Sequence, residues 1–277
     1  MTRVATPCAD VRVAFVGAGP GEADLITVRG AARLQEADVV LFDSLADPAL
    51  RQLAPNARWI DVGKRGFSGV PHAPRGGKEN TGQDTINALL VKHAQSGAQV
   101  VRLKGGDPSV FGRLEEELEA LAAAGIECEV VPGVTAALAA AAATQRPLTR
   151  RGAGRSVALT TAMTKSGDLT AGRHADTESF YMAGKQLAAL SRRLAAAGWS
   201  AATPALVVSR AGWPDQIASE HSVATIGDAT VLHAGRPTIV TVGVGATRIA
   251  SEANPAARPA SLPAAEASAI DTVKFEA

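Results

Sequence analysis

Cysteine is nearly missing from this 277-residue chain: Cys8 and Cys128 stand far apart and form no CxxC pair. That argues against a disulfide framework or a cysteine zinc site and fits a reducing compartment. Aromatics are scarce at 4%, so a core must rest on Ala, Val and Leu, which an apolar content of 46% supplies. Neither sign of charge is in excess, the formal net charge being +1. A general nucleic-acid or membrane surface is therefore not signalled, and any affinity for anions must come from a local cluster. No run reaches transmembrane length, and Met1 to Asp10 has no apolar core of signal-peptide length. The five histidines (72, 93, 174, 221 and 233) have no metal-ligand spacing, and no G-x-S-x-G element signals a serine hydrolase. These absences lead to the expectation of a cytoplasmic globule of one large or two modest domains, with no metal site, nucleic acid or membrane partner.

What is present organises around Val101 to Arg113, V-R-L-K-G-G-D-P-S-V-F-G-R. A β-branched run enters it and a Glu-rich helical stretch from Leu114 leaves it. Gly105 and Gly106 let the backbone approach a ligand with no Cβ in the way, and Asp107-Pro108 make a tight polar bend. In an open α/β sheet, ligands settle at the carboxyl ends of strands, so this segment reads as a ligand loop.

Upstream, strand Val11 to Val16 runs into Gly17-Ala18-Gly19-Pro20-Gly21-Glu22. A dinucleotide fingerprint needs glycine at its sixth position, where Glu22 stands, and Pro20 lacks an amide for a phosphate. Asp43, at the end of the strand Asp38 to Phe42, has the spacing of a ribose-binding acid, which keeps a Rossmann oxidoreductase as a competitor. The glycines fit better a tight turn beside a ligand without pyrophosphate. A third strand, Arg58 to Val62, leads into Gly63-Lys64-Arg65. Asp43 and Lys64, each past a parallel strand, could serve one cleft as acid and base; an N-cap aspartate and a solvated basic pair explain them equally well.

Residues 66–80 form a long irregular loop, and Thr81 to Asp84 has capping-box spacing for the next helix. Apolar Ile86, Leu89 and Leu90 form the buried stripe of that helix. A helix from Leu114 to Ala124 is closed by Gly125. A fifth strand ends at Pro132-Gly133-Val134-Thr135-Ala136, another glycine turn opening a helix. This alternation implies a parallel, helix-covered sheet. Arg146, Arg150, Arg151 and Arg155 make the densest basic patch, suited to carboxylates or phosphates or simply to solvent. A second set of elements follows: strands at Ser156 to Thr161, Ser179 to Met182, Ala205 to Ser209 and Thr238 to Gly243, a helix Gly184 to Ala197, and an extended Gln216 to Ile226. Beyond Ala250 the Ala, Pro, Ser and Glu sequence lacks periodicity and reads as disordered.

Seven segments in order, V-G-A-G-P-G (16–21), D-V-V-L-F-D (38–43), V-G-K-R (62–65), R-L-K-G-G-D-P-S-V-F-G-R (102–113), V-P-G-V-T-A-A (131–137), P-L-T-R-R (147–151) and F-Y-M-A (180–183), resemble the uroporphyrinogen-III C-methyltransferases of the tetrapyrrole methylase superfamily. The resemblance spans about residues 11–248. It implies an α/β fold of two α/β domains with the cofactor cleft between them: a flexible 1–10, an N-terminal domain 11–137, a C-terminal domain 138–250 and a disordered tail 251–277. It implies S-adenosyl-L-methionine as cofactor and S-adenosyl-L-homocysteine as its product. Pro20, Gly105, Gly106, Asp107, Val110, Thr135, Ala136, Met182 and Ala211 would line that site. Asp43 would accept a proton and Lys64 donate one. The tetrapyrrole substrate carries eight carboxylates, for which Arg113, Arg150 and Arg151 are the candidates, bidentate contacts favouring Arg. Two methylations would give precorrin-2, for sirohaem or cobalamin, in a cytoplasmic homodimer.

The chain departs from the family pattern at Gly82-Gln83, at His72, at Leu114-Glu115 after F-G-R and at Ala183. Another precorrin methyltransferase, or an RNA methyltransferase of the superfamily, stays open.

Overall fold

The computed structural model describes residues 11–63, 82–162, 169 and 171–249. Lys64, Arg65, the 66–80 loop, Thr81, the first ten residues and the tail beyond 249 lie outside the described residues.

The first half is a five-stranded sheet, β1 (Val13–Gly17), β2 (Val39–Phe42), β3 (Arg58–Asp61), β4 (Val100–Lys104) and β5 (Cys128–Val131), in the order β3-β2-β4-β1-β5. All its pairings are parallel, as the alternation predicts. Every residue of β1 and β4 is buried, which is why these strands read as continuous apolar runs rather than alternating ones. Helix α1 (Val28–Gln35) and the short 3₁₀ helix Pro48–Leu53 cover one face through Leu34 and Leu50. Helices α2 (Gln83–Gln95) and α3 (Leu114–Ala123) cover the other through Ile86, Leu90 and Leu121. Thr27 caps α1, its hydroxyl accepting from Gly30 N at 3.1 Å. Helix α2 starts at Gln83, with Gly82 at the N-cap and no side-chain cap. The Thr81–Asp84 capping box rests on Thr81, which lies outside the described residues.

Parallel pairing has one consequence that decides where function sits. The segments after β1, β2, β3, β4 and β5 all leave the same edge of the sheet.

The second half is a mixed sheet: β6 (Val157–Thr161), β7 (Thr177–Tyr181), β8 (Pro204–Ser209), β9 (Ile217–Ser222) and β10 (Thr238–Gly243), ordered β6-β7-β10-β8-β9. Only β6–β7 is parallel. One face packs on α5 (Leu187–Ala196) and the 3₁₀ helix Val223–Thr230 through Leu187, Leu190, Leu194 and Ile226. The extended reading of Gln216 to Ile226 thus holds only as far as Ser222. The capping box of Ser222 and Thr225 turns the chain into a helix at that point. The opposite face takes α4 (Ala136–Ala143), whose Ala139 and Ala140 meet Leu206, Val208 and Ile239. Small side chains on α4 let it lie close, and it joins the core of the second sheet although it leaves a strand of the first.

Candidate functional site

The carboxyl edge of the first sheet is built from glycine backbones in mutual contact. A Cβ added to Gly17 would stand 2.6 Å from Gly133 Cα and 2.7 Å from Gly106 O. The turn after β1 is tied to the turn after β4 by Ala18 N donating to Lys104 O (2.8 Å) and Gly106 N to Gly19 O (2.7 Å). Asp107 links β4 to β5: Oδ2 accepts from Gly133 N at 2.9 Å and Oδ1 from Ser109 N at 2.7 Å. Both carboxylate oxygens are engaged by the backbone, so Asp107 pins the diglycine bend to the Pro-Gly-Val-Thr turn. The glycines of 17–21 act by allowing this close approach, not by cradling a pyrophosphate.

Asp43 closes the corner between β2 and β4. Its Oδ2 accepts from Gly105 N and its Oδ1 from Leu45 N, both at 3.1 Å. The neighbouring end of β3 packs there too, since a Cβ on Gly63 would stand 2.6 Å from Ser44 N. Lys64 follows Gly63 in the chain but lies outside the described residues, so its convergence with Asp43 rests on sequence.

Beneath this edge lies a charge cluster that sequence reasoning did not resolve. Glu117 of α3 is buried and receives Arg102 Nε at 2.9 Å and Lys104 Nζ at 2.6 Å. Burial, then the Arg102 charge, pulls the Lys104 ammonium below its ordinary pKa against the opposing effect of Glu117. Lys104 of the K-G-G-D-P segment therefore turns inward, bracing the loop from below. The signal was available: Arg102 and Lys104 are two apart, hence on one face of a strand, and the helix that follows carries the acid.

The second sheet meets this edge at two places. Tyr181, the sole tyrosine of the chain, places its hydroxyl 2.7 Å from Thr135 Oγ1 and accepts from Ala137 N at 3.3 Å. Burial raises the phenol's pKa, the Thr135 and Ala137 contacts opposing; it stays a neutral hydrogen-bonding group. The second meeting is the turn after β8, where Gly212 O accepts from Glu22 N at 2.7 Å and Trp213 Nε1 donates to Pro20 O at 3.0 Å. A side chain on Gly21 would run into the Gly212 backbone.

The predicted lining residues therefore assemble. Pro20, Gly105, Gly106, Asp107, Val110, Thr135 and Ala136 lie on the turns of the first edge. Met182 follows Tyr181, and Ala211 precedes Gly212. Two apolar side chains stay partly open here, Phe111 (41% exposed) and Met182 (38%), each on a left-handed backbone with φ of 53° and 59°. The Phe111 and Tyr181 rings lie 5.0 Å apart. Left-handed non-glycine residues carry strain and cluster at functional sites. Here they keep apolar surface beside the seam. Gly106 has a φ of 71°, and a Cβ placed on it would come no closer than 3.9 Å to Thr135 Cα and Val134 O, so the space a side chain would fill borders both turns. Strained apolar flaps, glycine walls and backbone polar groups together fit a compact ligand with apolar and polar parts.

The arginines divide differently from expectation. Arg113 forms a two-pronged pair with Glu116, at 2.6 and 2.5 Å. Arg150 donates to the carbonyls of Thr247 and Arg248. Arg146, from the same basic patch, is buried, with Glu220 at 2.7 Å and Ala246 O at 2.8 Å. Arg151 is exposed in the turn between Arg150 and Gly154, its side chain without a partner among the described residues. Arg146 and Arg150 thus stitch the second half together, through partners on β9 and in the segment after β10 that could not be read locally. A cavity of about 550 Å³, lined by Arg173, His174, Asp176 and Trp199, opens elsewhere on the second half and shares no residue with the seam.

Comparison with known proteins agrees with this arrangement. The pattern of the Tetrapyrrole (Corrin/Porphyrin) Methylases matches residues 12–227. A uroporphyrinogen-III C-methyltransferase of Pseudomonas aeruginosa is 43% identical over 204 residues, covering 72% of this chain and 79% of that protein. Siroheme synthase 2 of Yersinia pestis is 45% identical over 210 residues, 74% of this chain but 42% of the synthase, so the chain spans under half the length of that relative. Among solved structures, uroporphyrin-III C-methyl transferase from Thermus thermophilus complexed with S-adenyl homocysteine superposes with a TM-score of 0.71 at 33% identity, covering 84% of this chain and 98% of that one. A cobalt precorrin-4 methyltransferase gives 0.72 at 27% identity, covering 89% and 100%. With two α/β halves meeting at a glycine-lined seam, the chain belongs to the tetrapyrrole methylases.

Proposed function

We propose that the chain is an S-adenosyl-L-methionine-dependent C-methyltransferase that carries uroporphyrinogen III to precorrin-2 by two methylations. The observation that carries the reading is the Asp107–Gly133 tie, which sets the diglycine bend against the Pro-Gly-Val-Thr turn, with Tyr181 and Trp213 reaching in from the second half. A Pseudomonas relative of that activity and a Thermus neighbour holding S-adenyl homocysteine support it. We take the two domains to divide near residue 137, in keeping with α4 packing on the second sheet.

When bound, the cofactor supplies a methyl group already activated on a sulfonium. The protein's work is then alignment of the reacting centres, the source of large rate gains in such a transfer. Gly105, Gly106, Thr135 and Ala136 offer backbone contacts, while Val110, Met182 and Ala211 offer apolar ones. Asp43, held by Gly105 N and Leu45 N, keeps the remaining lone pairs of its carboxylate to accept the proton that a methylated pyrrole carbon must lose. Lys64 is the expected donor. Arg151 is the expected contact for substrate carboxylates, Arg113 and Arg150 being able to join it only by exchanging Glu116 and the backbone carbonyls.

The RNA-methylating alternative would need a free basic surface. The pairing of Arg113 and Arg146 with acids, on a chain of net charge +1, favours the tetrapyrrole reading. No helix among the described residues is long and apolar enough to cross a membrane. The reading further places the enzyme in the cytoplasm as a homodimer, serving sirohaem or cobalamin synthesis.

The test is incubation with uroporphyrinogen III and methyl-labelled cofactor. Two methyl groups on the product are expected; none would exclude the reading, and labelling of a later precorrin alone would favour the other precorrin methyltransferases. Two substitutions probe the parts. Asp107→Ala releases Gly133 N and Ser109 N together. A loss of about 1–3 kcal/mol per group left unsatisfied should lower S-adenosylhomocysteine affinity by roughly tenfold or more in calorimetry, and an unaltered constant would remove the bend from the site. Arg151→Ala should raise KM for the tetrapyrrole by about twofold to fivefold, as an exposed ion pair with a carboxylate would, and leave cofactor affinity alone; an unchanged KM would place that turn away from the substrate.

A further inference from the structure

Behind the turn that follows β8 runs a line of polar side chains that no catalytic role uses. Ser209, the last residue of β8, is fully buried, as is His233. Ser209 Oγ accepts from Arg236 Nε at 3.0 Å and lies 2.9 Å from His233 Nδ1. His233 Nε2 lies 2.9 Å from Ser219 Oγ, which in turn lies 2.7 Å from His221 Nε2. With His233 neutral every link is satisfied, Arg236 donating to Ser209 and the other protons running one way along the line, either from Ser209 through His233 and Ser219 to His221 or from His221 through Ser219 and His233 to Ser209. Burial, with His221 and Arg236 adding to it, lowers the His233 pKa to about 4.

The line ends at the seam. Arg210, next after Ser209, has a left-handed backbone with φ of 51°, and its guanidinium stacks over the Trp213 ring at 4.3 Å. Asp215 staples the outside of the turn, taking Arg210 Nε at 2.7 Å and Arg236 Nη2 at 3.1 Å. Arg236 thus grips both ends of the turn, Ser209 before it and Asp215 after it. The inner side of that same turn carries Ala211, the Gly212 carbonyl bonded to Glu22 and the Trp213 indole bonded to Pro20.

We propose that Ser209, His233 and Arg236 form a positioning network that sets the Arg210–Trp213 turn against the first half and so tunes cofactor affinity. None of the three need touch the cofactor; they act through the turn. The proposal rests on the reading that the seam beside Ala211 holds the cofactor.

The experiment measures S-adenosylhomocysteine binding by calorimetry on the full chain for wild type, Ser209→Ala, Ser209→Thr and Arg236→Gln, with thermal melts and steady-state kinetics alongside. Expected are a roughly tenfold weaker dissociation constant for Ser209→Ala and Arg236→Gln, a matching rise in KM for S-adenosylmethionine with tetrapyrrole KM unmoved, and recovery to within about threefold in Ser209→Thr, which keeps the hydroxyl. A lowered melting temperature with unaltered cofactor affinity would overturn the proposal and leave the network a scaffold. Arg236 is partly exposed, so Arg236→Gln decides the matter if Ser209→Ala does not fold. Absence of binding by the wild type itself would overturn the cofactor reading, and the proposal with it; binding by the wild type with unchanged variants would overturn the proposal alone.

Discussion

Asp43→Asn should cut turnover on uroporphyrinogen III by about 10²- to 10⁴-fold, the usual contribution of a positioned general base. Asparagine keeps the size and one acceptor oxygen, enough to hold Leu45 N as in the native turn. The NH2 group that then stands in place of the second oxygen can accept neither a substrate proton nor the Gly105 N–H that this oxygen now receives. The loss should therefore fall mainly on kcat, with cofactor affinity lowered only by the disturbance at Gly105, a few-fold at most. Single-turnover kinetics with pre-bound cofactor separate the two effects. Wild-type turnover would exclude Asp43 as the proton acceptor. A change in cofactor affinity as large as the change in kcat would make it a prop for the loop instead.

Glu117→Leu should be the most destabilising change in the first half. Glu117 is the acid that faces Arg102 and Lys104 in the buried space beneath the diglycine bend. Removing it leaves two like charges out of water with their counter-charge gone, a cost of about 3–5 kcal/mol and a fall in melting temperature on the order of 10 °C. The desolvation that already lowers the Lys104 pKa would then favour its neutral form, so the loss should shrink as pH rises. Replacing all three groups, with Arg102→Met and Lys104→Met added to Glu117→Leu, should recover most of the stability, since a well-packed apolar set is often as stable as a buried ion cluster. A single substitution that melts like wild type would show the cluster to be solvated and of no consequence for the loop above it.

The first sheet was legible because most of its strands are short apolar runs, several of them running into glycine, and because alternating helices favour parallel pairing. The turns at 17–22, 105–108 and 132–135 were legible for a related reason: backbones that touch require glycine, and glycine is visible in a sequence. Partners were less so. Arg146 and Arg150 read as a basic patch, but Glu220 and the Thr247 and Arg248 carbonyls that occupy them arrive from β9 and the segment after β10, some seventy to a hundred residues later. Arg113 has its partner only three residues on, in the first turn of the helix that it precedes, so that pairing was at least local in sequence. Tyr181 lies within the F-Y-M-A segment, where its neighbour Met182 is the more obvious lining residue; only the fold shows the phenol crossing to Thr135. The Ser209–His233 line has no sequence signature at all, because Ser209, Ser219, His233 and Arg236 are aligned by antiparallel pairing and a helical turn rather than by spacing.

A structure of the chain crystallised with S-adenosylhomocysteine tests the central claim most directly. The ligand should lie against the joined Gly105–Asp107 bend and Gly133–Thr135 turn, on the side that faces the second half, with Met182 and Ala211 against it. Density anywhere else, touching neither turn, would contradict it.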